Sequence, residues 1–105
     1  MAGDDGDGDT PPSITAHPAD STVTEGDTAI FTVTATGSGT LTYQWKKDGV
    51  DVVGGTGGTT ASYTTPATTV GDDGAVFTCV VTNAGGNTES AGGTLTVTML
   101  PPVIT

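Results

Sequence analysis

The chain holds one thiol and one imidazole, Cys79 and His17, so nucleophilic chemistry would require these two to meet. A thiolate nucleophile needs an adjacent base and an open pocket, and a zinc ion needs three or four ligands. Neither condition is visible. Cys79 alternates in step with Ala75, Phe77 and Val81, which points it into a core, while His17 falls at a surface or strand-edge position before Pro18. Asp5, Asp7 and Asp9 have the spacing of the first three ligands of a calcium loop. In a loop starting at Asp5, however, the turn glycine would fall on Thr10 and the bidentate glutamate on Ala16. The pattern fails at both diagnostic places. Residues 1–10 are therefore expected to be a flexible acidic linker, with weak calcium association there, or near Asp20, Glu25, Asp72 and Asp73, as the alternative. No cofactor, metal or catalytic residue is expected.

The charge balance narrows the partners. Twelve acidic residues against two lysines and no arginine give a formal net charge of −10. Nucleic-acid binding needs cations that replace phosphate counterions, so it is excluded, and an anionic membrane surface would repel the chain. No stretch approaches the ~20 apolar residues of a membrane span. Residues 1–10 also carry no apolar run of the kind a signal peptide needs, so the compartment is not legible from them. One cysteine cannot form an internal disulfide.

The elements that would position these residues are strands. A chain of 105 residues has room for one core, and Thr, Val and Gly dominate it. Period-2 runs separated by Gly and Asp turns are expected at Ile14–His17, Thr22–Thr24, Thr28–Thr36, Leu41–Lys47, Val50–Val53, Ala61–Thr65, Ala75–Thr82 and Thr94–Thr98. One face collects Ala29, Phe31, Val33 and Ala35, then Leu41, Tyr43 and Trp45, then Ala75, Phe77, Cys79 and Val81, then Leu95 and Val97. Asp48-Gly49 reads as a hairpin turn, and the Gly- and Thr-rich stretch Gly54–Thr60 as a flexible loop. Pro11-Pro12-Ser13-Ile14-Thr15 is echoed by Pro101-Pro102-Val103-Ile104-Thr105, as if a repeat began again.

Tyr43-Gln44-Trp45-Lys46 looks like a strand C tryptophan motif, and Asp73 to Cys79 looks like a strand F motif. Gly26-Asp27-Thr28-Ala29 and Asn83-Ala84-Gly85-Gly86 add the approach to strand B and the F–G hairpin. On these residues the chain resembles the immunoglobulin superfamily, specifically the I-set-like domains of bacterial secreted and surface proteins. The resemblance covers residues 11–98 and implies an all-β fold, an immunoglobulin-like two-sheet antiparallel β-sandwich. Residues 99–105 are then a linker and the start of a following repeat. Two positions depart from the family pattern. Its strand B cysteine falls on Val33, leaving Cys79 without a partner, and the tyrosine two residues before the strand F cysteine is Phe77. The missing bridge would be worth roughly 4 kcal/mol, so packing around Trp45 has to hold the two sheets. The expected structural core residues are Val33, Trp45, Phe77 and Cys79. Family likeness also raises a lysine–asparagine crosslink, for which Lys47 with Asn83 or Asn87 is the conceivable pair.

The resemblance implies a non-catalytic structural spacer or presentation module from a tandem array, extracellular or at the cell surface. Its partners would be neighbouring domains of the same parent chain, and it would be a monomer. The alternative is an adhesion or carbohydrate-binding module. Binding hot spots favour Trp, Tyr and Arg. Of the five aromatics, Phe31, Tyr43, Trp45 and Phe77 have inward parity and Tyr63 is undecided, and the loops at 37–40, 54–60 and 83–87 are built of small residues.

Overall fold

A computed structural model describes residues 10–100. Ten strands form two layers: β1 Ser13–Ala16, β2 Ser21–Thr24, β3 Ile30–Thr32, β4 Thr34–Thr36, β5 Thr42–Lys47, β6 Val50–Asp51, β7 Ser62–Thr64, β8 Val76–Asn83, β9 Gly86–Glu89 and β10 Gly93–Thr98. In the first layer β1 pairs with β4 and β3 with β7, all antiparallel. β3 and β4 are halves of one stretch meeting at Val33, whose N–H donates to Ala61 O at 2.9 Å. The second layer runs β2-β10-β8-β5-β6, with β9 beside β8. The central pair is β5 and β8, in register from Thr42 opposite Thr82 to Lys47 opposite Phe77. All-β is thus the observed class, a sandwich of the expected kind.

One pairing departs from the antiparallel rule. The run expected at Thr22–Thr24 does not continue the sheet of β1 past Pro18: β2 crosses to the second layer and lies parallel to β10, Leu95 opposite Ser21 through Thr98 opposite Thr24. Buried Pro18 offers no N–H to a ladder, and that breaks the run. Two side chains then fix the crossing: His17 Nδ1 accepts the Ala91 N–H and Asp20 Oδ1 accepts the Thr94 N–H, each at 2.9 Å. The Asp48-Gly49 turn has φ of +51° and +83°, the left-handed pair a tight two-residue hairpin requires.

The parity of the strands is reproduced in the core. Phe31, Val33, Trp45, Phe77, Cys79, Val81 and Leu95 are all buried. Four rings interlock between the layers. Phe31 stacks on Phe77 at 4.7 Å, Phe77 meets Tyr63 at 6.0 Å, and Tyr63 meets Trp45 at 6.3 Å. Phe31 and Tyr63 belong to the first layer, Phe77 and Trp45 to the second, so each contact between unlike layers closes the sandwich. Tyr63, undecided from its sequence, is a core residue at 1% exposure.

The stretch Gly54–Thr60, expected to be a loose loop, is stitched to the sandwich. Thr56 and Thr64 exchange backbone bonds at 2.9 and 2.8 Å, so the stretch stands as a one-residue strand on the edge of β7. Trp45 N–H donates to Gly58 O at 2.8 Å, Trp45 Nε1–H to Thr60 O at 2.7 Å, and the Tyr63 hydroxyl to Gly54 O at 3.2 Å. Gly57 has φ +85°, and a Cβ there would run into Ser62 O. Gly57→Ala is therefore expected to cost about 1–3 kcal/mol. A urea melt checks this: the midpoint should fall with the slope unchanged, and an unshifted midpoint would mean the stretch is not held.

The two ends of the domain lie at opposite poles. At the N-terminal pole Asn83 Nδ2 donates to Thr10 O at 2.7 Å and to Ser38 O at 3.0 Å. At the C-terminal pole Glu25 N–H donates to Thr98 O at 2.8 Å, beside the corner where Asp73 Oδ1 accepts the Val97 N–H. Strand β8 connects the two levels.

Candidate functional site

Residues of β5, β6, β7 and the start of β8 line a cleft of about 290 Å³. Its floor is Tyr63 and Phe77, its sides Val50, Val52, Val53 and Pro66, and its end Lys47 and Asp72. Lys47 sits opposite Val50 in the hairpin, so β5 carries its side chain toward this opening. Asp72 ends a 3-10 turn, Val70–Asp72, that forms the corner leading into β8. Lys47 Nζ donates to Asp72 Oδ1 at 2.6 Å, and Asp72 Oδ2 accepts the Thr69 N–H at 2.9 Å. The pair ties the second layer to the corner.

This geometry overturns the crosslink reading. Lys47 is paired with Asp72, while Asn83 is engaged at the N-terminal pole and Asn87 lies opposite Thr82 on the β8–β9 hairpin. Lys46 meets Asp51 at 3.1 Å on the surface. The carboxylates weighed for calcium have separate tasks: Asp20 and Asp73 receive β10 N–H groups, Glu25 Oε2 receives the Leu100 N–H, and Asp72 receives Lys47 and Thr69. Among the described residues no group of three or more His, Cys, Asp or Glu could hold a metal ion. Asp5, Asp7 and Asp9 lie outside the described residues.

The Asp72 carboxyl is held below its ordinary value of 3.8, first by the Lys47 hydrogen bond and then by the Thr69 N–H. Its charged form is favoured in the folded state, so the stabilisation is full above about pH 4 and is lost as the pH falls through the lowered folded value. The two side chains are 40% and 25% exposed, and solvent screening limits the pair to less than about 1 kcal/mol. Asp72→Asn should thus lower stability more at pH 7 than at pH 3, where the unfolded carboxyl is already mostly protonated and part of the stabilisation is gone. Equal losses at both pH values, read from urea midpoints, would contradict this assignment.

Cys79 is a free thiol with no exposed surface, and burial pushes its pKa to about 11. It sits opposite Trp45 on β8, in the same core as Val33 and Phe77. Sequence reasoning missed its neighbour Ser90, which is buried. The Ser90 hydroxyl accepts the Cys79 N–H at 2.9 Å and donates to Ala91 O, replacing a ladder bond where β9 breaks before β10. Thr65 Oγ1 does the same for Ala29 N–H. In a chain this rich in Ser and Thr, no signal marks which hydroxyls turn inward.

The sequence profile of the immunoglobulin domain matches residues 11–83. This chain belongs to the immunoglobulin domain family. An immunoglobulin domain with Val33 and Phe77 at these positions keeps the sandwich without the inter-sheet bridge and without the corner hydroxyl. Endoglucanase C of Cellulomonas fimi is 39% identical over 100 residues, a match covering 91% of this chain and 9% of that protein. The chain thus spans about one-tenth of that relative. Among solved structures, an atomic-resolution titin domain is 28% identical with a TM-score of 0.71, covering 85% of this chain and 95% of that one. Tandem immunoglobulin repeats of Dlar give a TM-score of 0.72 at 23% identity, covering 85% of this chain and 49% of that one.

Proposed function

We propose that this immunoglobulin domain is a non-catalytic spacer, a rigid link that fixes the separation of its neighbours in a longer extracellular protein. The observation that carries the reading is the match to a small part of Endoglucanase C, where a similar sequence is a minor share of a large enzyme. An enzyme named for cutting glucan chains internally acts on a polymer too large to enter a cell, and this supports an extracellular setting.

The geometry supports the same role. The ends leave from opposite poles, and β8 with its corner spans about ten residues between them, or roughly 33 Å at strand rise. Phe31, Trp45, Tyr63 and Phe77 are consumed by the core, and Tyr43 is half-buried against it. None of them forms an exposed platform for a sugar ring. Cys79 is buried and His17 Nδ1 is occupied by the Ala91 N–H, so neither acts as a nucleophile or base. The isolated domain is monomeric in this account.

Affinity electrophoresis in gels holding soluble glucans, with pull-down on insoluble cellulose, tests the reading. No retardation and no pull-down are expected. Retardation by any of them would replace the spacer with a carbohydrate-binding module.

A further inference from the structure

The cleft of about 290 Å³ has no task in a spacer. Its walls leave apolar surface in water: Val53 is 88% and Val50 68% exposed, with Val52 and exposed Pro66 beside them. A partner strand has little to pair with here, because β6 is only two residues long. A concave apolar surface that ends at a few polar groups has the form of a small-molecule site instead. Most of those polar groups are already committed. Asp72 Oδ1 takes Lys47 and Oδ2 takes the Thr69 N–H, Asp51 takes Lys46, and the Tyr63 hydroxyl donates to Gly54 O. An ammonium carries three N–H donors, and among the described residues only Asp72 accepts from Lys47. The cleft therefore has hydrogen-bond donors to spare at its end and is otherwise apolar.

We infer that this cleft binds a small uncharged aromatic compound, its ring on Tyr63 and Phe77 and a carbonyl oxygen at the Lys47 ammonium. Charge selects the class. An anion approaches a chain of net charge −10, and a cation meets Lys47 at the end of the cleft, so a neutral ligand is the one admitted. The spare donors select the oxygen, because an acceptor placed there completes the Lys47 ammonium without displacing Asp72. Volume selects the size: the cleft is roughly twice the ~150 Å³ of a cavity that holds benzene, which suits one substituted ring or two fused ones. Tyr63 and Phe77 lie 35° apart in plane with centroids 6.0 Å apart, and a further ring on this floor extends the ring contacts of the core. A sugar is refused, since its many hydroxyls would lie unpaired against the valines. The inference does not rest on the spacer reading, which glycan retention tests separately.

The probes are para-methoxyacetophenone, para-methoxybenzoate and para-methoxybenzylamine, close in shape but neutral, anionic and cationic at pH 7. Each is titrated into the isotope-labelled full chain and followed by its amide shifts. The ketone should shift Val50 to Val53, Tyr63 and Asp72 with a Kd of about 1–5 mM, the range open to a compound of this size. The acid and the amine should each bind at least about fivefold more weakly. Lys47→Met keeps the apolar stem, removes the donors and leaves Asp72 without its cation. The exposed ion pair adds little to stability, so the variant folds. In it the ketone should weaken about threefold or more, and the amine should become the better ligand of the two. Absence of saturable ketone shifts, shifts scattered away from the cleft, or equal binding of all three probes would overturn the inference. So would a Lys47→Met protein that keeps the parent's order of preference.

Discussion

Val33→Cys should oxidise to a disulfide with Cys79 and raise stability by about 2–3 kcal/mol, or roughly 10–20 °C in Tm for a domain of this size. Val33 is 4% exposed in the first layer and Cys79 0% exposed in the second, and both belong to one packed core. The loop closed, about 46 residues, gives a chain-entropy estimate near 4 kcal/mol, and engineered bridges deliver less because native geometry rarely fits without strain. Valine and cysteine are close in volume, so the reduced variant should melt near the parent. In the parent, the buried thiol, with its pKa near 11, should label slowly in the native state and fast when unfolded. A variant that stays reduced under oxidising conditions, or fast native labelling, would mean that Val33 and Cys79 do not face each other.

Trp45→Ala should have the opposite sign and at least the same size. The indole is fully buried, stacks on Tyr63 and donates from Nε1 to Thr60 O. Emptying that site costs about 3–5 kcal/mol, and losing the donor leaves a carbonyl unpaired. With no bridge to compensate, such a loss is a large share of the 5–15 kcal/mol typical of a domain. Trp45→Phe separates the two causes: it keeps most of the packing, removes the N–H, and should cost about 1–3 kcal/mol. Circular dichroism melts of both variants check the order. A Trp45→Ala protein melting within a few degrees of the parent would show that the ring chain does not hold the layers.

Strand parity made most of the core legible. Val33, Trp45, Phe77 and Cys79 each sit in a run long enough for alternation to show, and all four are buried, while Ala35, Leu41 and Tyr43 on the same faces are half-buried against them. Tyr63 was not legible because β7 is three residues long and is preceded by glycines, which carry no pattern. The same glycines made Gly54–Thr60 look loose. Their role is close backbone approach to β7, a tertiary requirement that composition does not separate from flexibility. β9, with the sequence Gly-Asn-Thr-Glu, has no apolar alternation and is held by pairing with β8 and by the Thr88 hydroxyl, which donates to Pro12 O at 2.6 Å. The crossing of β2 to the second layer and the Lys47–Asp72 pair depend on which elements meet in space. Alternation along β5 puts Lys47 on the face of Tyr43 and Trp45, but alternation does not name its partner.

The most direct test of the spacer account is the distance between the poles. Thr10→Cys and Thr98→Cys, labelled with nitroxides while the buried Cys79 stays unreactive, allow a pulsed electron spin resonance measurement on the otherwise intact chain. The account predicts a single narrow distribution near 33 Å, widened by the label arms, because strand rise along β8 sets the separation. A broad distribution, or one centred below about 20 Å, would place the ends together or leave them loose, and a domain of that kind could not set a distance.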